Sequence, residues 1–160
     1  FINELDFVAE VDGNIVGNII YSKSQVTDLN GNNHEFISFG PVAVHPDYQK
    51  KGIGSALINH TLRLAEQLEY TAVFITGNPD YYKRFGFTAA FDYGIHLKEI
   101  PDNDRAEFFM VKLLKPNALD GISGVLEFDE CFEVDKNQLD KFDKQFPPKV
   151  KEKRPGQLFD

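Results

Sequence analysis

The chain has 160 residues, 42% of them hydrophobic and 13% aromatic, and a formal net charge of −8. That length supports one sizeable core and leaves little room for a second full domain. The acidic balance argues against a nucleic-acid partner and favours cationic or amine-bearing small molecules, while a single cysteine, Cys131, excludes an intramolecular disulfide and a cysteine metal site.

One cysteine also suits a reducing compartment. No apolar run approaches the length needed to cross a bilayer and no signal-peptide series opens the chain, so a cytoplasmic location without membrane contact is expected. Residue 1 is Phe and strand pattern follows almost at once, as in a chain whose start lies inside a longer sequence.

Taken in order, "DFVAEV" (Asp6 to Val11) and "IVGNIIYS" (Ile15 to Ser22) flank "DGN", which predicts a β-hairpin. A polar loop then leads to "EFISFGPVAV", a strand interrupted by Gly40 and Pro41. Proline cannot donate to a ladder and glycine marks bulges, so this strand is predicted to bend or splay there. From Ile53 to Glu69 the residues Ile53, Leu57, Leu64, Ala65 and Leu68 line one helical face, broadened by Ala56, Ile58 and Leu62. "TAVFIT" (Thr71 to Thr76) reads as a short strand and "GNPDYYKRF" as a turn opening a short helix at Pro79. Strand character resumes over Thr88 to Phe91 and Phe108 to Leu113. The alternation predicts an α/β domain with a mixed sheet. Beyond Pro116, "GVLEF" has strand pattern, "DKNQLDKFDKQF" has a short amphipathic helical pattern, and "PPKVKEKRPG" reads as an extended charged tail carrying Lys149, Lys151, Lys153 and Arg154.

The turn "QKKGIGSA" is the most informative stretch. Gly52 and Gly54 ahead of a helix leave free main-chain N–H groups at a positive dipole end, with Lys50 and Lys51 beside them: a cradle for an anion, most naturally phosphate. Two phosphate motifs fail here. A P-loop needs Lys after its last glycine, where Ser55 stands, and a dinucleotide fingerprint needs a third glycine where Leu57 stands.

"VAVHPDYQKKGIGSALI" resembles the acyl-CoA signature of the GNAT N-acetyltransferase superfamily: Val-x-Val closing a strand, then Gln49, Gly52 and Gly54. "YYKRFGF" resembles the superfamily's downstream motif through Tyr82, Gly86 and Phe87, and the two stretches together are similar to the YhbS-like branch of predicted acetyltransferases. The motifs span Gly40 to Phe87, with flanking agreement to about Leu113. The resemblance implies a GNAT-type fold: a mixed, mostly antiparallel sheet flanked by helices and splayed at the cofactor cleft. It implies a core over 1–115, lacking the usual leading strand and helices, and an extension over 116–160 that is not a separate domain. That extension is open to packing on the sheet, covering the acceptor site or mediating a homodimer.

The resemblance also implies a chemistry. Acetyl-CoA would be the cosubstrate, with its pyrophosphate on the amides of Lys51, Gly52, Ile53, Gly54 and Ser55, and its pantetheine arm along Val42, Ala43 and Val44. Gln49, Lys50, Asn78 and Tyr82 complete the implied cofactor set, and an amide near Val42 is the implied oxyanion donor. The acceptor would be a primary amine of a small molecule or protein. Tyr82 is the expected general acid for the leaving thiolate. Glu35, with His34 beside it, is the candidate base, directly or through water. His45 reads as structural, and His60 and His96 stand apart from other ligand types, so no metal is expected. A non-catalytic acyl-CoA binding or sensing module is the competing class, keeping the cradle without a working acid and base.

Overall fold

The computed structural model describes residues 1–148 except Glu99, Asp102 and Glu133; the expected basic tail, with Lys149, Lys151, Lys153 and Arg154, lies outside the described residues. Asp12 (φ 51°) and Gly13 (φ 77°) form the two-residue turn that joins β1 (Phe7–Val11) to β2 (Asn14–Asp28), the positive dihedrals matching the twist of the strands. β2 runs well past the expected Ser22. Its first part pairs with β1 and its last part with β8 (Gly124–Phe128), so two short strands share one edge of a long one. The other edge of β2 pairs with β3 (Asn33–Val44) through a loop organised by Asp28, whose carboxylate accepts bonds from the amides of Asn30 and Asn32 at 2.8 Å and pairs with His34 at 3.0 Å.

From β3 the chain passes through a short 3-10 turn (Pro46–Tyr48) into α1 (Ile53–Gln67), then β4 (Ala72–Thr76) and α2 (Pro79–Tyr82). β5 (Thr88–Ala89), β6 (Ile95–Leu97) and β7 (Phe109–Leu113) complete the eight-stranded sheet, whose order is β5-β7-β4-β3-β2-β8-β6 with β1 on β2. Only the pairs β3–β4 and β6–β8 are parallel, so the sheet is mixed and mostly antiparallel as expected. The strand expected over Thr88–Phe91 stops at Ala89, where a 3-10 turn takes over.

The core has two faces. On one, Ile19, Tyr21, Ile37 and Phe39 pack against Leu57, Ile58, Leu62 and Ala65 of α1. On the other, Val26, Phe36, Phe74 and Phe109 pack with Ala90, Leu119 and Leu126 from the connections and β8. The expected helical face needs one revision: Ala56 and Leu68 are exposed, and Thr61 is buried in their stead. Its hydroxyl bonds the buried Tyr21 hydroxyl at 3.0 Å and the Leu57 carbonyl at 2.9 Å, so a polar side chain is accommodated in the core because its bonds are made there. Residues through Asp129 cluster with the sheet, and Glu130–Asp160 form a second unit. The first unit therefore reaches past residue 115, because β8 lies between β2 and β6. In the second unit α3 (Lys136–Asp143) starts at Asp135, whose carboxylate accepts the Gln138 amide at 2.9 Å.

Thr61→Val is expected to destabilise the chain by about 1–3 kcal/mol, because the Tyr21 hydroxyl is left buried without a side-chain partner. Combining it with Tyr21→Phe should cost clearly less than the sum of the two single changes in urea unfolding, since both ends of the bond are then removed together.

Candidate functional site

Ile37 and Ser38 of β3 pair with Val73 and Phe74 of β4, and there the two strands part. β3 continues to Val44 held on its other edge by β2, with Ile19 opposite Val42 and Tyr21 opposite Phe39. Gly40 and Pro41 are the extra residues of that bulge, and the bend expected from them is present. Beyond Ser38, the edge of β3 that faced β4 has no neighbouring strand among the described residues, and its main-chain polar groups short of the Val44 carbonyl are open to a ligand.

At the open end of β3 the Gln49 side-chain amide donates to the Val44 carbonyl at 3.0 Å, which ties the turn to the strand. Lys50 (φ 60°) and Gly52 (φ 86°) then take left-handed backbone and turn the chain into α1. The first main-chain bond of α1 runs from the Ala56 amide to the Gly52 carbonyl at 2.9 Å, so the amides of Ile53, Gly54 and Ser55 have no main-chain acceptor. No side chain caps them. By contrast, Asn78 caps α2 by accepting the Asp80 amide at 2.9 Å, and Asp135 caps α3.

These open amides border a cavity of about 580 Å³. Val44, Gln49, Lys50 and the run Gly52 to Ser55 line it, together with Tyr48, Tyr81 and Arg84. Tyr81 reaches across from α2: a Cβ at residue 54 would stand 3.1 Å from its hydroxyl, so the glycine admits the phenol to the start of α1. The Lys51 ammonium lies 5.0 Å from the centre of the Tyr48 ring. Val42, Ala43, Lys51 and Asn78 are not among the lining residues; Val42 and Ala43 lie on the parted strand, and the Asn78 side-chain oxygen is engaged in its cap.

Tyr82 points elsewhere. Its half-buried ring packs among Phe39, Phe87 and Phe85, at centroid separations of 6.1, 5.9 and 6.4 Å, beside the place where β3 leaves β4. Burial, and then the neighbouring Tyr81, push its phenol up to about 12. Its hydroxyl makes no hydrogen bond to a described residue. On the opposite face of the sheet, the buried hydroxyls of Ser22, Ser24 and Ser38 likewise find no partner among the described residues, and Ser22 lies directly across from Ser38.

Glu35 is not brought to this place. It sits near the start of β3, nine residues and roughly 30 Å of strand from Val44, exposed and paired with Lys23 at 2.9 Å. His34 is held by Asp28. Neither the expected acid, Tyr82, nor the expected base, Glu35, is among the residues that line the cavity. Sequence reading missed Tyr48 and Arg84, which neither glycine spacing nor hydrophobic period distinguishes; Tyr81 forms a further wall of the cavity.

Residues 4–89, more than half of the chain, match the family model described as the acetyltransferase (GNAT) domain. The chain belongs to the GNAT acetyltransferase family. By class this GNAT protein is an acyltransferase. It is 29% identical over 121 residues to the uncharacterised N-acetyltransferase YhbS of Escherichia coli, an overlap of 76% of this chain and 69% of YhbS. It is 30% identical over 120 residues to the uncharacterised N-acetyltransferase YjhQ of the same organism, covering 73% of this chain and 66% of YjhQ. The fold superposes on the crystal structure of YhbS in complex with CoA with a TM-score of 0.68, covering 79% of this chain and 68% of that one. A GNAT acetyltransferase from Brucella melitensis in complex with acetyl-CoA gives 0.60 at 27% identity, over 79% of this chain and 66% of that one. Among the described residues there is no cluster of three or more metal-ligating side chains, and no helix long and apolar enough to cross a membrane.

Tyr82 is positioned by Gly77: a Cβ there would fall 2.3 Å from its ring. Gly77→Ala is therefore expected to displace the Tyr82 ring and to lower stability by about 1–3 kcal/mol, as other overpacking changes do. Thermal unfolding, with proton NMR of the aromatic cluster, reads both effects.

Proposed function

We propose that this GNAT protein is an acetyl-CoA-dependent N-acetyltransferase acting on a primary amine of a small molecule or protein. The observation that carries the reading is the uncapped start of α1, with the Ile53, Gly54 and Ser55 amides open beside a cavity that Val44, the last residue of β3, also lines. Such a group of donors at a helix start fits a pyrophosphate. The free edge of β3 from Phe39 to Val44 fits an amide-bearing arm laid alongside it, as an added strand would lie. The donors and the edge together match CoA better than ATP, which has a polyphosphate but no arm to pair.

The bound cosubstrate supplies an activated acetyl thioester. The chain's part is to hold and to donate. The amides of residues 53–55 hold the diphosphate, Gln49 keeps the turn fixed to Val44, and the open β3 edge orients the arm. Tyr82, beside the parting of the strands, is the proton donor to the departing sulfur. A phenol raised to about 12 stays protonated throughout the working range, so it enters each turnover as an acid. Glu35 is given no part in this mechanism: it does not line the cavity, and its exposed carboxylate pairs with Lys23. The amine must arrive neutral, losing its proton to water.

Unfolding temperature is expected to rise saturably with acetyl-CoA and with CoA and to stay unchanged with ATP. Tyr82→Phe should lower kcat by about 100-fold with cofactor affinity retained, and Glu35→Gln should leave turnover within about twofold. The rate should climb with pH as the amine deprotonates and show no alkaline fall from Tyr82 below about pH 11, since a group with its value raised loses its proton only there. Cofactor binding without thioester loss across a broad amine panel would instead identify a non-catalytic acyl-CoA binding module.

A further inference from the structure

The wall of the cavity facing the α1 amides carries a cation that the mechanism leaves unused. Arg84 lines the cavity and is exposed. Its guanidinium lies 3.9 Å from the centre of the Tyr81 ring and 5.0 Å from that of Phe85. No carboxylate among the described residues pairs with it, although the chain carries a net charge of −8. The adjacent Lys83 shows the alternative: its ammonium is taken by Asp80 at 2.6 Å. Contact with the Tyr81 ring restrains the Arg84 guanidinium, and no described residue takes a hydrogen bond from its N–H groups, which leaves them for an anion such as phosphate, a group that a guanidinium can bind through two parallel bonds.

We infer that Arg84 is a specificity-determining residue that recognises the 3′-phosphate on the ribose of coenzyme A. The inference rests on the CoA reading of the cavity given above. The diphosphate is assigned to the amides at the start of α1, whereas Arg84 comes from the 3-10 turn Lys83–Phe85 that follows α2 and lies over the Tyr81 ring, so the two anion-binding groups belong to different elements. A CoA molecule has one further phosphate, the dianionic one on its ribose. An exposed guanidinium already held against an aromatic ring loses less side-chain freedom on binding that group, so the phosphate should contribute to affinity and to discrimination.

The test compares two ligands that differ by that phosphate alone. Dissociation constants for CoA and for 3′-dephospho-CoA are measured by calorimetry for the wild-type chain, Arg84→Ala and Arg84→Lys, with thermal unfolding to verify that each variant is folded. The wild-type chain is expected to prefer CoA by about tenfold or more. Arg84→Ala should weaken CoA by that factor and leave dephospho-CoA unchanged, and Arg84→Lys should fall between them. Equal losses for both ligands would overturn the inference, because Arg84 would then act on the diphosphate or through Tyr81. An unchanged preference in Arg84→Ala would overturn it as well. Should the folded wild-type chain bind dephospho-CoA as tightly as CoA, the Arg84 assignment fails and the CoA reading stands; should it bind neither, both fail.

Discussion

Two residue pairs hold β3 to β4, Ile37 with Val73 and Ser38 with Phe74, and the candidate site depends on there being no more. A strand paired on both edges along its whole length would have no main-chain groups to offer. Here β2 remains bonded to β3 as far as Val44, so the strand stays ordered while its other edge is open. The bulge at Gly40 and Pro41 turns that open edge away from β4, and Gln49 anchors the following turn to the last strand carbonyl. The position of α1, and with it the position of the open amides, is inherited from this one divergence.

The adjacent tyrosines divide the space that the divergence creates. Tyr81 projects to the start of α1 and carries Arg84 on its ring, so it belongs to the polar end of the cavity. Tyr82 turns inward to Phe39, Phe85 and Phe87, away from the cavity, beside the place where β3 and β4 part. Their rings meet edge to face at 4.9 Å, and Asn78 caps the single helical turn that carries both. A short helix is enough for this task because each ring is fixed by its neighbours in the core and by the cap rather than by helix length.

Much of this was legible in local sequence. The Asp12-Gly13 turn, the interruption at Gly40-Pro41 and the glycines ahead of α1 each impose a local backbone requirement that few other residues meet, and each appears where expected. The elements that went unread are those fixed by distant partners. β2 extends to Asp28 because β3 and β8 pair with its far end, and β6 is a strand only because β8 lies beside it. The helical face failed at Thr61 for a related reason: a hydroxyl counts as polar until a buried tyrosine supplies its partner. Glu35 drew attention as a carboxylate on the right strand, and it is exposed, paired with Lys23 and not among the residues lining the cavity. Arg84 escaped notice because an arginine on a turn is unremarkable until its ring partners and the cavity are in place.

The environment of Tyr82 sets a condition on how it can work. In water a phenol near 10 giving its proton to a thiolate near 8.5 is already an uphill transfer. Burial has moved the phenol to about 12, which taken alone makes the transfer less favourable still. In the proposed mechanism the same apolar surroundings would act on the sulfur, because an anion leaving beside Phe39 and Phe87 would be desolvated too, and desolvation raises a thiol as it raises a phenol. The two shifts run in one direction and offset each other. Under the proposed role, a proton donor here would gain little from being made intrinsically more acidic; it would gain from sharing the low dielectric of the group it protonates, and the aromatic cluster around Tyr82 is a surrounding of that kind.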